Sequence, residues 1–465
     1  TQRRRQRQMC IRDRFYSASE ELRKQYKNDE EAKQIIDIAL GLEGLRRQDG
    51  IHAAAIVISP DTITKFLPIQ QKGSNAEIVT QYEMHTVEQL GLLKMDFLGL
   101  RNLSIVDRTL ELIGSESLDI DNLKLDDEKT FKLFAEGKMT GVFQLESRVA
   151  QSTSRSLKPK RFEDIVALVA LIRPGPLGAG MHNEFADRAN NRKEIEYLHS
   201  DLESILNETY GVILYQEQVM QIAEKIAGFN LQEADNLRVA MGKKIPKVME
   251  EQRKKFTDGA VSNNYSEQFA IELFDQIAYF AGYGFNKSHS VPYALLAYQT
   301  AYLKANYPAE YIAACLTAVK RDKDRTAIFL SEARDMGVKV STPDVNLSSS
   351  DFTVNDNEIL FGLSAVRNVG DITADKIVFE RESNGDFKSI EEFLSRIDSR
   401  SLNKRGVEAL IQGGGLDKFG HTRKGMFDAV IDLIENAKEL KATKENNQAS
   451  LFPVSYTHLR AHETV

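Results

Sequence analysis

The residues with the clearest chemical potential are an acid and a base in one short apolar run, LLKMDF, at residues 92–97. This run predicts a strand, and the two-residue period of a strand places Lys94 and Asp96 on one face, opposite the apolar side chains. A carboxylate whose direction is fixed by a strand can hold Mg²⁺ beside substrate phosphates. An ordinary ion pair at the end of the strand is the alternative interpretation.

A single carboxylate is insufficient for two-metal phosphoryl transfer, which needs further ligands that bridge both ions. The sequence has no DxD pair flanked by β-type residues, and residues 119–121 (DID) are predicted to lie in a surface loop. We therefore expect the other metal ligands to come from outside this sequence.

A second group of residues is suited to anion binding. Residues 282–290 (GYGFNKSHS) lead into a predicted helix, with Ser290 as a possible N-cap and Pro292 in the first turn. The free N–H groups of a helix start attract anions, so this segment could cradle a triphosphate, whereas an ordinary capped helix is the alternative. The side chains that would join the N–H groups are Asn286, Lys287, Ser288 and His289.

Further cations occur where the chain is expected to be rigid. Residues 237–244 (LRVAMGKK) end an amphipathic helix whose predicted buried stripe is Leu231, Ala234, Leu237 and Met241. The same residues carry Arg238, Lys243 and Lys244, although lysines at this end also complement the helix dipole. Arg173 precedes Pro174, which excludes it from the helical region and makes it a stiffly held cation.

The elements that must position these residues are mostly helices. Residues 15–47 and the stretch from Gly99 to about residue 340 have helical periodicity, and short helices are predicted over 363–430. The fold class is therefore mainly α with a small α+β part. Four extended runs that predict one compact sheet are His52–Ser59, Ile63–Ile69, Ile78–Met84 and Leu92–Phe97, and residues 343–362 predict a second extended region.

The composition limits the class of protein. The 465 residues are 42% hydrophobic and 28% charged, and they contain no apolar run of 18 residues, so we expect a cytoplasmic protein without membrane contact. A net charge of -7 argues against a protein that coats nucleic acid through its overall field. Cys10 and Cys315 are too few for a disulfide or zinc framework, so any metal should have oxygen ligands.

Several long motifs resemble one family, the alpha subunits of bacterial DNA polymerase III, which are family C polymerases. The resemblance covers residues 15–452. The motifs that carry it are GLRRQDGIHAAAIVISP (44–60), LLKMDFLGLRNL (92–103), GVFQLESR (141–148), FEDIVALVALIRPGPL (162–177), ILYQEQVMQIA (213–223), DNLRVAMGKK (235–244), FAGYGFNKSHS (280–290) and GLSAVRNVG (362–370).

The resemblance implies a domain layout. It places the end of a thumb at 15–51, the second part of a palm at 52–101, fingers at 102–350, a helix-hairpin-helix region at 351–430 and a linker with a clamp-binding-like peptide at 431–453. Residues 1–14 and 454–465 resemble sequencing-adapter read-through and are interpreted as artefacts.

The resemblance also implies roles for the residues introduced above. Asp96 matches the third metal-binding aspartate of a centre that holds two Mg²⁺ ions, with Lys94 beside it, and the other two aspartates would lie upstream. The residues that match the binding surface of the incoming dNTP are Arg238 and Asn286 to His289, with Arg173, Lys243 and Lys244 as further candidates.

Two more segments are implied to bind partners. Residues 366–370 (VRNVG) resemble a hairpin that grips DNA phosphates through its backbone, with Asn368 where the family has its first hairpin glycine; a plain turn between helices is the alternative. Asparagine tolerates positive φ, so the turn is expected to survive. The DNA-binding candidates are Arg367, Asn368, Val369, Gly370, Lys404 and Arg405, and the candidates for sliding-clamp binding are Gln448, Leu451 and Phe452.

The sequence departs from the family pattern at three other places, which are Val239, Val149 to Gln151, and Val291 with Pro292. The function implied is addition of dNTPs to a primer on template DNA by a larger protein, in contact with a clamp and other replicative subunits, with this chain alone inactive. Two alternatives stay open: a non-catalytic protein that binds DNA and tethers the clamp, and an error-prone member of the same family.

Overall fold

The computed structural model describes residues 20–42, 45, 50–71, 73–74, 76–97, 99–114, 118–243, 246–281, 284–398 and 401–445. The chain divides into two compact units, Thr1–Gly99 and Leu100–Val465. In the described residues, no helix is both long and apolar enough to cross a membrane.

The first unit is small and mixed. Its elements are α1 (Glu20–Asn28), α2 (Glu30–Leu42), β1 (Ala55–Ile58), β2 (Ile69–Gln71), β3 (Ile78–Thr80), α3 (Met84–Gln89) and β4 (Leu93–Asp96). The expected compact sheet is wrong, because the strands form two separate antiparallel pairs, β1 with β4 and β2 with β3. Ile63–Lys65 is a 3₁₀ turn rather than a strand, and the chain after Thr80 turns into α3.

The β1–β4 pair, which we call the β1–β4 ribbon, alternates as the two-residue period predicts. Ile56 lies opposite Met95 and Ile58 opposite Leu93, and all four side chains are between 39% and 55% exposed. The other face is directed towards a small core of Leu67, Val87 and Leu92. The apolar face of the ribbon is therefore the more exposed one.

The second unit is largely helical, as predicted. Its first helices are α4 (Arg101–Ile113), α5 (Glu128–Glu136), α6 (Arg148–Leu157), α7 (Phe162–Leu171), α8 (Pro174–Gly178), α9 (Met181–Ala189), α10 (Glu203–Leu206), α11 (Gln216–Ala227), α12 (Leu231–Lys243), α13 (Pro246–Ser262) and α14 (Glu267–Ala281). They are followed by α15 (Lys287–Asn306), α16 (Pro308–Val319), α17 (Lys323–Asp335), α18 (Asp371–Asn384), α19 (Ile390–Arg396), α20 (Lys404–Gly413), α21 (Arg423–Asp428) and α22 (Val430–Glu445).

The central helix of this unit is α15, which packs on α5, α7 and α16. Its Lys304 side chain is only 1% exposed, and its ammonium donates to the carbonyls of Lys138 (2.7 Å) and Thr140 (2.8 Å) and to Glu332 Oε1 (2.6 Å). Burial lowers the pKa of Lys304, while Glu332 opposes that shift. A fully paired charge thus joins three separate segments of the fold.

A three-stranded sheet follows α17. Its strands are β5 (Lys339–Val340), β6 (Thr353–Asn355) and β7 (Glu358–Leu360), in the order β5-β7-β6, with β5 parallel and β6 antiparallel to β7. A further apolar core lies under α18 to α22 and includes Val369, Ile377 and Leu410. Lys320 at the end of α16 pairs with Asp371 at the start of α18, which ties the two parts of the unit together.

Candidate functional site

Strand β4 confirms the predicted arrangement of Lys94 and Asp96. Their side chains lie on the same face of the ribbon and form a direct ion pair. The ion pair at the strand end, which was the alternative interpretation of these two residues, is therefore present. The Asp96 side chain is 44% exposed and the Lys94 side chain 16%. The carboxylate is therefore accessible from outside while its lysine is held against the ribbon.

The hydrogen bond from Lys94 holds the pKa of Asp96 below its usual value, and the charge of Lys94 and that of a nearby histidine, His52, add to this effect. Asp96 is thus ionised at neutral pH, which is the state a metal ligand needs. Among the described residues no group of three or more His, Cys, Asp or Glu side chains is placed to hold a metal. Asp96 fits one ligand position for Mg²⁺ and no more.

The predicted start of α15 needs two corrections. The N-cap is Asn286, whose side chain accepts from the His289 N–H at 2.7 Å, and not Ser290. Ser290 lies buried inside the helix and its hydroxyl donates to the Val166 carbonyl at 2.7 Å. Pro292 consequently falls beyond the first turn, and the helix continues through it to Asn306.

The first N–H groups of α15 are not free, contrary to the expectation for an open anion cradle. The Lys287 N–H donates to both carboxylate oxygens of Glu217, at 2.9 and 3.0 Å, and the Ser288 N–H donates to the same group at 3.4 Å. The Lys287 ammonium pairs with Glu208 at 2.7 Å. Two internal carboxylates therefore occupy the positions where external phosphate oxygens were expected.

The segment before α15 is anchored by backbone bonds. Phe285 N–H donates to the Leu214 carbonyl at 3.1 Å, and the Phe285 carbonyl accepts from Gln216 N–H at 2.9 Å. The Arg173 guanidinium carbon lies 3.6 Å from the centre of the Phe285 ring, and partial burial lowers the pKa of Arg173. Arg173 has extended backbone, as Pro174 predicts, and is brought together with the predicted loop through Phe285.

Arg238 lies on α12, whose predicted buried stripe is confirmed at Ala234, Leu237 and Met241 but is wrong at Leu231, which is 67% exposed. The Arg238 guanidinium pairs with Asp235 of the same helix at 2.8 Å. No contact recorded among the described residues joins Arg238 to the start of α15. The side chain of Lys243 and the whole of Lys244 lie outside the described residues.

The predicted hairpin at 366–370 has the positive φ that was expected at Asn368. Asn368 has a φ of 63°, so asparagine does adopt the left-handed conformation in place of glycine. A single 3₁₀ turn, Leu363–Ala365, precedes it and α18 follows. The Val369 side chain is 2% exposed and packs in the core, and the Val369 N–H donates to the Val366 carbonyl at 3.0 Å within the turn.

The structure brings Arg367 and Asn368 together with Arg405, since all three line one cleft. Lys404 begins α20 and lies 3.7 Å from Glu408.

The other departures from the family pattern do not interrupt the helices that contain them. Val149 is exposed on α6 and Val239 is half-buried on α12. The clamp-binding candidates Gln448, Leu451 and Phe452, and both predicted artefact segments, lie outside the described residues.

Sequence reasoning missed Glu208 and Glu217, although Glu217 lies in one of the quoted motifs. Glu217 is 70 residues from Lys287, so no local pattern relates the two. The N-cap did carry a local signal, because Asn286 precedes His289 at the usual capping distance of three residues.

Comparison with known proteins extends these observations. Residues 102–264 match the model of the bacterial DNA polymerase III alpha subunit finger domain, residues 2–99 match that of the bacterial DNA polymerase III alpha NTPase domain, and residues 337–426 match a helix-hairpin-helix motif.

Curated relatives with the name DNA polymerase III subunit alpha match nearly the whole chain. The protein of Thermus aquaticus is 45% identical over 441 residues, that of Escherichia coli strain K12 42% over 452, and that of Mycobacterium tuberculosis 41% over 444. These alignments cover 93%, 94% and 94% of this chain and 36%, 39% and 38% of the relatives. The chain thus spans little more than a third of the length of the relatives it matches.

Proposed function

Because the chain belongs to the family of bacterial DNA polymerase III alpha subunits, we propose that it is part of a DNA polymerase that extends a primer on a DNA template. The observation that carries the proposal is Asp96, an ionised and accessible carboxylate at the end of β4. The proposed partners are dNTPs, primer–template DNA, a sliding clamp and other replicative subunits. The predicted thumb, palm, fingers and hairpin boundaries are part of this proposal.

Asp96 would hold Mg²⁺ together with two carboxylates from a longer protein. Two such ions neutralise charge on the attacking and leaving oxygens of phosphoryl transfer. Lys94 keeps the Asp96 carboxylate ionised and aimed along the strand end, and a rigid strand preserves that direction. We propose no catalysis by this chain alone, since its described residues supply one ligand.

The start of α15 would approach the incoming nucleotide's phosphates. Binding there requires Glu217 to leave the Lys287 and Ser288 N–H groups. These N–H groups and the Lys287 ammonium could then bind a triphosphate. Arg173 stacks on Phe285 beside this segment and would add positive charge. Arg238 would contribute after exchanging Asp235 for a phosphate oxygen.

Primer extension tests the role of Asp96. In a full-length protein that contains this chain, Asp96→Asn should lower the extension rate by a factor on the order of 100 or more, because a metal ligand is lost while the shape is kept. Asp61→Asn is the matched control, since Asp61 is also an exposed carboxylate of the first unit paired with a lysine. An Asp96→Asn protein that extends primers normally would instead favour the non-catalytic DNA-binding and clamp-tethering function.

Two further measurements complete the test. The 465-residue chain alone should incorporate no nucleotide, and incorporation would contradict the need for outside carboxylates. In the full-length protein, Arg238→Ala should raise the KM for dNTP, whereas Arg253→Ala, which breaks an ion pair with Asp275 on neighbouring helices, should not. An unchanged KM for Arg238→Ala would remove Arg238 from the nucleotide surface.

A further inference from the structure

The starting point is an open strand edge in the second unit. Strand β5 is the outer strand of the β5-β7-β6 sheet and pairs on one side only, with β7. Ser341 N–H donates to the Ile359 carbonyl at 2.9 Å, so the backbone groups of residue 341 are directed to β7. Backbone direction alternates along a strand, and therefore the N–H and C=O of Val340 are directed away from the sheet. Unpaired groups of this kind are a template for another strand.

The open edge borders a cleft. Residues 338–343 line one wall, and residues 365–368 with parts of α20 line the other, enclosing a volume of about 1000 Å³. Val338, which is 4% exposed, and Val366, which is 8% exposed, form an apolar floor with Phe361. Within this wall the strand is Lys339–Val340, so β5 offers a short edge for pairing with an extended chain.

The rim of the cleft is positive. Arg334, Lys339, Arg367 and Arg405 are exposed lining residues. Glu408 is the one carboxylate among the lining residues, all of which the structure describes, and it lies near Lys404 at 3.7 Å. Lys339 pairs with Glu358 at 3.0 Å on an exposed surface, where such a pair is weak. The cleft therefore complements a ligand with negative charge.

We propose that this cleft binds an extended peptide segment of a partner protein, in which acidic residues alternate with small apolar ones, as an additional strand on β5. The edge of β5 would supply main-chain hydrogen bonds, the floor would take the apolar side chains and the four cations would pair with the carboxylates. The cleft shares Arg367, Asn368 and Arg405 with the proposed DNA-binding hairpin, so peptide and DNA would compete for these side chains, whereas the edge of β5 would serve the peptide alone.

A nucleic acid could use the cations of this surface but not its strand edge. A nucleic-acid backbone has no alternating N–H and C=O groups to pair with an open strand, and single strands are usually held by exposed aromatic side chains on which bases stack. Phe361 is the aromatic residue among the lining residues that the structure describes, and it packs against the buried cores. The open strand edge is thus the observation that favours a peptide.

The test uses the full 465-residue chain and a fluorescein-labelled ten-residue peptide that alternates Glu or Asp with Val or Leu. Fluorescence anisotropy should show saturable binding, and a matched peptide with Lys in place of the acids should bind at least about tenfold more weakly. The double variant Arg334→Glu/Lys339→Glu should also lose about tenfold or more. Lys254→Glu/Lys424→Glu makes the same charge change on exposed helices outside the cleft and should bind the peptide almost normally.

Backbone pairing needs its own test. Val340→Pro removes an N–H that is directed away from β7 but keeps the Ser341 bond to β7, so binding should fall while thermal stability is largely retained. If this variant fails to fold, two peptides N-methylated at alternate amides serve instead. One methylation pattern should abolish binding and the other should not, because only alternate amides face β5.

Any one of three results would overturn the proposal: equal binding of both N-methylated peptides, no effect of Arg334→Glu/Lys339→Glu on peptide binding, or no saturable binding of the acidic peptide. A 12-nucleotide single strand or duplex that binds more tightly than the peptide, displaces it and loses affinity in Arg334→Glu/Lys339→Glu would show that the cleft is a nucleic-acid site.

Discussion

In the first unit, apolar side chains of the β1–β4 ribbon are exposed, whereas in the second unit a lysine is almost completely buried. Ile56 and Leu93 are 51% and 55% exposed, while the Lys304 side chain is 1% exposed with three hydrogen bonds. Among the described residues, the first unit has a core of three buried apolar residues, and the second has several extensive cores. A unit with large cores can satisfy a buried charge internally, whereas a two-stranded ribbon has little apolar material to cover its own face.

This contrast suits the proposed roles of the two units. A carboxylate that must bind metal has to remain accessible, and Asp96 is accessible in the unit with the least buried structure. The helices of the second unit hold Phe285 and the start of α15 through bonds that join distant parts of the chain. We infer that the second unit is the more rigid of the two.

The largest expected effect concerns Lys304. Lys304→Ala should lower the free energy of unfolding by about 3–5 kcal/mol, because Glu332 and two carbonyls would lose a buried partner. Urea unfolding followed by circular dichroism measures the change. Lys254→Ala is the control, since Lys254 pairs with Asp258 on an exposed surface and should change stability by less than about 1 kcal/mol. Equal effects of both variants would contradict the contrast between buried and exposed charge.

The second prediction compares the two units directly by hydrogen exchange. Backbone amides of β1 and β4 should exchange at least about a hundredfold faster than those in the buried middle of α15, because the ribbon can open without disrupting a large core. Mass spectrometry of peptic fragments measures both regions in one sample. Comparable protection of the ribbon and α15 would mean that the first unit is stabilised by contacts that its small core does not reveal.

The third prediction concerns the ion pairs that link α16 to α18. Lys320 and Arg321 hold the pKa of Asp371 at about 2, below its usual value of 3.8. Because the folded pKa is depressed, this stabilisation is complete above about pH 4–5 and is lost as the pH falls through 3.8 towards 2. Asp371→Asn should cost about 1 kcal/mol at pH 7, since the group is partly exposed to solvent.

Thermal unfolding of the Asp371→Asn chain across pH checks this sign. The difference from the unsubstituted chain should be constant at neutral pH and shrink as the solution becomes more acidic. A difference that grows with acidity would show that the carboxylate is not stabilised by Lys320 and Arg321.

The smallest expected effect concerns the start of α15. Glu217→Gln keeps a hydrogen-bond acceptor but removes a negative charge from the helix N-terminus, and this should cost about 0.5 kcal/mol. The same change should strengthen binding of inorganic triphosphate, measured by calorimetry, because the site no longer holds an internal anion. Glu224→Gln on the same helix is the control for both measurements, and equal triphosphate affinity in the two variants would argue against competition by Glu217.

Much of the fold followed from local patterns. The alternation of residues 92–97 predicted the shared face of Lys94 and Asp96, and the positive φ of Asn368 followed from its place in the hairpin motif. The buried stripe predicted on α12 was wrong only at Leu231, which is exposed in the first turn of the helix. Local periodicity is therefore most reliable inside elements and least reliable at their ends.

The unpredicted features arise from contacts between distant residues. Ile63–Lys65 forms a 3₁₀ turn despite β-type residues, because tertiary context overrides a weak preference. Glu217 reaches the start of α15 across 70 residues, and the ion pair that buries Lys304 needs Glu332 from the next helix but one. Neither contact follows a helix or strand period. The sequence therefore could not show that Glu217 occupies the predicted anion cradle.

The Lys304 contacts also set an order of events during synthesis on the ribosome. The carbonyl of Lys138 lies 166 residues before its ammonium partner. At translation rates of roughly 5–20 residues per second, the 138–140 segment emerges roughly 10–30 seconds before Lys304. Glu332 follows later still, so the complete set of Lys304 contacts cannot form until that glutamate has left the exit tunnel.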